Sequence, residues 1–430
     1  MTSIVSVSGS LTTFQQKSLK QLLQYLDKNS AFYRSHFSKH GIDISQIELF
    51  ADLIKIPVVT KNDLQENNMN FLCVEQRSVV EYCTTSGTLG SPVIIGLTEM
   101  DLQRLAKNEL ESFTCAGMSS DDIMLLMLSL DRQFMAGIAY YSGARELGAG
   151  IIRGGPGNFA MQLDVIKRLQ PTVLVAVPSF IVGLADFAKQ HGTDLNTTSV
   201  KKILCIGENI RDEQLHFNAL GERIRNSWNV KLYSTYASTE QQTAFTECAE
   251  GKGGHHHEDL LIFEIIDENG NQLPAGSYGE LVITTLGVEG MPLLRYSTGD
   301  ICTFYTDPCP CGKATSRISP IAGRKQQMIK YKGTTLYPQT IFNILNSLEG
   351  IQDYVITLVN NDLGSDDLVV SLALFPGCGL TEIKIKQALQ TALRVVPEIN
   401  FLPFSEIQKM QIVEGKRKIY KLIDHRKKLA

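Results

Sequence analysis

Val173-Leu174-Val175-Ala176-Val177-Pro178-Ser179-Phe180-Ile181-Val182-Gly183-Leu184-Ala185 is the longest apolar stretch of the 430-residue chain. A membrane-spanning helix needs about 20 consecutive apolar residues. This run is shorter and is interrupted by Pro178, so it reads as a buried strand, a turn and a buried helix. On either side, strand-like runs at Ile123–Leu128, Gly150–Ile152 and Lys202–Ile206 alternate with helical patterns such as Met161–Leu169. Alternation of this kind argues for α/β layers.

Working outward, Leu19, Leu22, Leu23 and Leu26 repeat at helical spacing and predict an amphipathic helix near the start. Downstream, Leu261–Ile266 and Leu281–Thr285, with Asn269-Gly270 as a turn signal, predict a β-rich hairpin. After Gly323 the order changes to a helix past Pro338, a strand Tyr354–Val359, a polar turn over Asn360–Asp367, a strand Leu368–Phe375 and a helix opening near Thr381. About 100 residues with their own apolar positions suffice for a small α+β domain. The expected organisation is a large α/β domain with a β-rich subdomain over 1–323, a small α+β domain over 324–430, and a hinge at Arg324–Gln327.

Composition narrows the function. With 43% hydrophobic and 20% charged residues the chain can bury a substantial core, which excludes disorder, collagen and coiled coil. Its 41 basic and 45 acidic residues lack the basic excess of a phosphate-backbone binder, so no nucleic-acid partner is expected. No export signal is visible at Met1–Leu11, and nine cysteines, an odd number, suit reduced thiols or metal ligands better than a disulfide framework. A cytoplasmic protein with no membrane partner is the expectation.

Tyr82-Cys83-Thr84-Thr85-Ser86-Gly87-Thr88-Leu89-Gly90-Ser91-Pro92 carries the first chemical signal. Its hydroxyls, with glycines that let backbone N–H groups approach an anion, suit a polyphosphate. No Walker A pattern is present. Tyr233-Ser234-Thr235-Tyr236-Ala237-Ser238-Thr239-Glu240 offers an aromatic face, hydroxyls and a carboxylate after a strand-like run. Leu294-Arg295-Tyr296-Ser297-Thr298-Gly299-Asp300 ends in a carboxylate able to accept from two adjacent ribose hydroxyls. Gly323-Arg324-Lys325-Gln326-Gln327 puts an always-charged guanidinium at the domain junction. Taken singly, each of the last three reads better as a core tyrosine, a turn aspartate or a solvated arginine.

In this order, the segments resemble the signatures of the adenylate-forming enzymes, the superfamily of acyl-CoA synthetases, luciferases and peptide-synthetase adenylation domains. The sequence most resembles the phenylacetate-CoA ligase family, through Ala31-Phe32-Tyr33-Arg34 and Ile56-Pro57-Val58-Val59-Thr60-Lys61-Asn62-Asp63-Leu64 as well. The likeness runs from about Leu19 to Arg426. It implies that Thr85, Ser86, Gly87, Thr88 and Gly90 hold the ATP phosphates. Gly207, Glu208, Asn209 and Tyr236 would border adenine, with Ala237, Ser238 and Thr239 beside it. Glu240 would help hold Mg²⁺, Asp300 ribose, and Arg324 ribose or phosphate. Gln326 stands at the hinge. Glu414-Gly415-Lys416, ahead of Ile423-Asp424-His425-Arg426, resembles the catalytic-lysine motif, although residues 401–430 hold eight basic against three acidic residues and basic tails are usually solvated. Phe134, Met135, Tyr140 and Tyr141 would line a pocket for a carboxylic acid, phenylacetate-like by family default. The implied activity is activation of the acid by ATP as acyl-adenylate, then transfer to coenzyme A. A carrier-protein thiol or an amine is an alternative acceptor, and a nucleotide-binding regulatory protein without turnover an alternative class. The resemblance also allows a homodimer.

Cys309-Pro310-Cys311-Gly312 and an upstream Cys248 with His255-His256-His257 have the makings of a tetrahedral zinc set. Members of the family carry a similar arrangement, and aligning on it selects Cys248, His255, Cys309 and Cys311 as a structural site, with His256 and His257 as competitors. The chain departs from the family at Ser91, where Lys is usual, at Gln326-Gln327, where an acidic pair is usual, and at Ala237, where Gly is usual. These departures leave adenylation standing and keep the acid and the acceptor open.

Overall fold

All four leucines at helical spacing are buried on α1 (Gly9–Asn29). Ser30, whose side chain accepts the Tyr33 amide, caps the following α2 (Ala31–Lys39). The next helix, α3 (Lys61–Asn67), opens on a reciprocal capping box between Thr60 and Asp63. The hairpin β1 (Glu81–Thr84) and β2 (Ile94–Leu97) leads into α4 (Glu99–Cys115), again capping-boxed, by Thr98 and Asp101. The computed structural model describes residues 9–47, 50–85, 92–331, 334–360, 366–412 and 420–426, and contacts divide it into two units, 1–320 and 321–430.

The predicted alternation of the large unit becomes β3 (Ile123–Leu126), α5 (Met135–Leu147), β4 (Gly150–Arg153), α6 (Phe159–Leu169), β5 (Val173–Ala176), α7 (Pro178–Gln190), β6 (Lys202–Ile206), α8 (Ala219–Ser227) and β7 (Lys231–Ala237). Pro178 splits the long apolar run by taking the first helical position of α7, where its missing N–H costs nothing. The five strands run parallel in the order β4-β3-β5-β6-β7. On one side of the sheet Trp228, Ile181, Leu184 and Ile203 share a core; on the other, Phe113, Met124, Tyr140 and Leu204 do. The sheet continues antiparallel through β8 (Ala244–Glu247), β9 (Gly254–His255), then past the separate strands β10 (Leu261–Ile266), β11 (Gly279–Thr285) and β12 (Tyr296–Cys302) to β13 (Phe304–Tyr305) and β14 (Arg317–Ile318), in the order β7-β8-β9-β14-β13.

β10 and β11 form the predicted antiparallel pair, with β12 on the outer side of β11. Asn269-Gly270 turns the chain as read, with Gly270 at φ +84, but the turn is a local one closed by Asp267 and Asn271, and the strands resume only at Gly279. Asp267 accepts the Asn269 and Asn271 amides, which stops the strand early.

In the small unit β15 (Gly323–Arg324), β16 (Ile329–Tyr331) and β17 (Thr334–Leu336) precede α9 (Pro338–Ser347), β18 (Ile351–Asn360), β19 (Asp366–Leu374), α10 (Glu382–Leu393, capped by Thr381), β20 (Glu398–Phe401), α11 (Phe404–Gln411) and β21 (Leu422–Asp424). A sheet in the order β20-β19-β18-β21 buries Tyr354, Ile356, Val370 and Leu372 against Ile341, Leu345, Ile385 and Leu389 of the helices. Residues 361–365 of the predicted turn lie outside the described residues. Among the described residues no helix is long and apolar enough to cross a membrane.

Candidate active site and metal centre

In an open parallel sheet, ligands settle outside the carboxyl ends of the strands, where neighbouring connections diverge. β4 follows β3 on one side while β5 lies on the other, so the divergence falls between β3 and β5. The sequence-derived candidates collect along this edge. Phe134 and Met135 follow β3, Gly207-Glu208-Asn209 follows β6, and Ser238–Glu240 follows β7, whose last residue is Ala237. The end of β1 comes to the same edge because the Thr84 amide donates to the Gln133 carbonyl at 3.0 Å.

Each side chain has a definite seat. The Tyr236 hydroxyl donates to Asp300 Oδ2 at 2.6 Å, which brings together two candidates 64 residues apart. Asp300 is buried on β12 beside Gly299, whose φ of +75 only glycine adopts readily. Glu240 is buried, and its Oε1 lies 3.4 Å from Lys61 Nζ and 3.5 Å from the Tyr296 hydroxyl. Sequence reading missed both neighbours as site residues, although each stands inside a quoted motif. Ser238 heads the turn, its carbonyl accepting the Gln242 amide. The Glu208 carboxylate is engaged by the amide and hydroxyl of Ser179, at 2.9 and 3.0 Å, so it caps α7; Gly207 before it (φ +74) is exposed. Thr85 is buried; its amide donates to the Val93 carbonyl and its Oγ1 accepts the Val93 amide, closing the base of the hydroxyl-rich loop.

Ser86, Gly87, Thr88, Gly90 and Ser91 lie outside the described residues, as does Lys416. Phe134 is exposed and Met135 buried at the start of α5. Tyr140 packs against Phe113 in the core, ring centroids 5.9 Å apart, while the guanidinium groups of Arg145 and Arg153 each lie 6.0 Å from the Tyr141 ring. In the small unit Arg324 is exposed on β15 and Gln326 sits in the single turn that follows.

Cys248, His255, Cys309 and Cys311 converge: one ligand atom from each lies within 4.8 Å of all the others. Cys248 Sγ is 3.6 Å from Cys309 Sγ, and His255 Nε2 is 3.5 Å from Cys311 Sγ. β9 supplies the histidine, the end of β8 the first thiol, and the β13–β14 loop the knuckle, which turns at Gly312 (φ +86). His255 Nδ1 bonds to the Thr315 hydroxyl at 2.9 Å, which orients the ring with Nε2 toward the thiols. Burial pushes His255 down to about 4, helped by Arg317 and Lys313, so its ring is neutral and ligand-ready at neutral pH. His256 instead meets the Leu261 carbonyl and stacks on Phe245, and His257 meets Asn108 Oδ1. Three sulfurs and an imidazole nitrogen match the donor set and count of a closed tetrahedral zinc site. Cys115, buried against Cys248 and Cys309, is a further thiol that the motif spacing gave no reason to include.

Comparison with known proteins places these features in a family context. The AMP-binding enzyme family matches residues 38–290. A phenylacetate-coenzyme A ligase of Thermus thermophilus is 29% identical over 340 residues, covering 78% of this chain and 75% of the relative. One from Escherichia coli is 26% identical over 370 residues, covering 85% and 82%. Among solved structures, a 2-hydroxyisobutyryl-CoA ligase in the postadenylation state in complex with 2-HIB-AMP superposes with a TM-score of 0.85 at 22% identity, covering 98% of this chain and 90% of that one.

Proposed function

The chain belongs to the AMP-binding enzyme family, and we propose that it is an ATP-dependent acid-CoA ligase, which activates a carboxylic acid as its acyl-adenylate with release of pyrophosphate and passes the acyl group to coenzyme A. The single observation that carries this reading is the collection of Thr85, Gly207, Tyr236–Glu240 and Asp300 along the carboxyl edge of one parallel sheet, in a chain similar over most of its length to phenylacetate-coenzyme A ligases.

The chemistry follows from charge and position. A carboxylate and a triphosphate repel, so attack on the α-phosphorus needs cations and a fixed in-line geometry. Tyr236 and Asp300, already joined, would seat the nucleoside, with Asp300 accepting from the ribose and the tyrosine ring beside adenine. Glu240 is a buried carboxylate whose contacts among the described residues, to Lys61 and Tyr296, are long, and its oxygens fit Mg²⁺, which takes one or two carboxylates beside substrate phosphates. When bound, the ion would offset phosphate charge. Lys416 would supply the second cation, reaching both the acid and the α-phosphate; a preorganised charged donor of this kind is typically worth about 3 to 4 kcal/mol. Arg324 would contact ribose or phosphate, and the turn holding Gln326 would serve as the pivot between the two half-reactions. The acid itself would lie against Phe134, Met135 and Tyr141, with Tyr140 behind them as a packed wall. An aryl acid of the phenylacetate kind is the substrate class this suits.

Cys248, His255, Cys309 and Cys311 would hold a structural zinc that fastens the β-rich part of the large unit. Four protein ligands leave no position for substrate, so the metal would stabilise and not react. The nine unpaired thiols suit a reducing compartment such as the cytoplasm.

Pyrophosphate release screened over aryl, aliphatic and amino acids tests the reading. Release with an arylacetic acid, followed by thioester formation on adding CoA, is the expected result. Release with no thioester to CoA, but transfer to a carrier-protein thiol, would move the assignment to the alternative acceptor, and no release with any acid would reject ligase activity.

A further inference from the structure

Arg104, on α4, is buried, and its guanidinium donates to four oxygens on other segments. Nε reaches the Leu286 carbonyl at 2.6 Å, Nη1 the Gln242 carbonyl at 2.6 Å, and Nη2 both Thr243 Oγ1 at 2.9 Å and the Leu260 carbonyl at 2.5 Å. All four acceptors are neutral. Burial pushes the group down to about 10, so it keeps its charge at neutral pH. Placing a cation where no carboxylate takes its hydrogen bonds is a costly way to join segments, and apolar packing would serve stability alone as well.

Two of the acceptors, Gln242 and Thr243, belong to the turn that follows Glu240. That turn is strained. Gln242 has φ +49, a left-handed conformation that a side chain opposes. Its amide group is buried, and among the described residues neither its oxygen nor its nitrogen, nor Gln241 Oε1, has a hydrogen-bond partner. The internal ties are few: Gln242 N to Ser238 O at 3.2 Å, Gln241 N to Ser238 Oγ at 3.3 Å and Gln241 Nε2 to Thr243 O at 2.7 Å. The short Arg104 contact to the Gln242 carbonyl ties the left-handed residue to α4 from outside the turn.

We propose that Arg104 is a positioning residue, whose buried guanidinium holds the strained turn after Glu240 in the form that presents the Glu240 carboxylate to the divalent cation of ATP. The proposal rests on the reading of Glu240 as a Mg²⁺ ligand. It also explains why the fold carries a buried cation at this place: a planar fork can bind four oxygens on three segments at once, which no apolar side chain or ammonium can do.

The test compares ATP binding by calorimetry with Mg²⁺ and with EDTA, in the full chain and in Arg104→Lys, Thr243→Val and Glu240→Gln. Hydrogen exchange of a peptide covering 238–247 is followed in parallel. Arg104→Lys keeps the charge but loses the fork. It should weaken ATP binding in Mg²⁺ about tenfold, the scale of one charge-assisted hydrogen bond, leave binding in EDTA within about twofold, and speed exchange in 238–247 more than elsewhere. Thr243→Val removes one acceptor and should act in the same direction by a smaller factor, which keeps the test alive if the lysine variant does not fold. Glu240→Gln should abolish the Mg²⁺ advantage. If it does, and both Arg104→Lys and Thr243→Val keep the wild-type ratio of the two affinities, the positioning role is overturned. If Glu240→Gln leaves that ratio unchanged, the reading of Glu240 fails and takes the proposal with it.

Discussion

Glu109 shows how burial sets the charge of a residue. Its side chain is buried; Oε1 accepts from Asn108 at 3.0 Å and, among the described residues, Oε2 has no partner. Burial pushes its pKa up from 4.5 to about 8, against a small opposing pull from Asn108. In the folded chain the group is therefore neutral where the unfolded chain would ionise it. The stability it contributes is complete below about pH 4.5 and is lost as pH rises through about 8, at no more than about 1.4 kcal/mol per pH unit. We predict that the melting temperature falls over this range and that Glu109→Gln flattens the fall; two parallel profiles would show that Glu109 does not titrate there. At the same scale, Lys416→Ala should abolish pyrophosphate release while ATP binding persists, and unchanged release would remove Lys416 from the mechanism.

Between elements, two junctions bear on the site. α4 and α5 approach so closely that a Cβ added at Gly143 would stand 2.2 Å from Glu109 Cβ and 3.1 Å from the Glu109 backbone. The backbone neighbours cannot rotate away, so Gly143→Ala should cost about 1 to 3 kcal/mol by chemical denaturation; a stability equal to wild type would mean that the helices separate freely. The second junction is the metal knuckle, where β8, β9 and the β13–β14 loop meet. Purified protein should contain close to one zinc per chain, and Cys309→Ser should lose most of it and unfold at a lower temperature. Metal content near zero after mild purification would count against the four-ligand set. Spacing alone did not choose among three adjacent histidines; the family resemblance pointed to His255, and in the structure packing turns that ring to the thiols. His255 lies on β9 opposite Thr246 and Arg317, facing the thiols, whereas the next residue, on the opposite side of an extended chain, stacks on Phe245.

Over the whole molecule, each of the two units has a core of its own, built around Leu174 and Trp228 in the large one and around Ile356 and Leu372 in the small one. A chain ending at Pro320 should then fold, since each self-cored unit folds independently, and bind ATP about tenfold more weakly for want of Arg324, yet release no pyrophosphate. Release from the truncated chain would mean that the catalytic cation lies in the large unit. The alternation of strands and helices, the split of the long apolar run at Pro178 and the order of the hydroxyl, tyrosine and carboxylate motifs were all legible in the residues, because periodicity and turn chemistry act over a few neighbours. The early stop of the hairpin at Asp267, the pairing of Tyr236 with Asp300, the engagement of Glu208 by Ser179, the nearness of Lys61 to Glu240 and the fourfold grip of Arg104 were not. Those depend on strand order, register and the way helices pack across a sheet, which join residues far apart in the chain and leave no local period to read. Which side chains meet at the carboxyl edge was decided by tertiary structure, because only the closed core fixes where each strand ends.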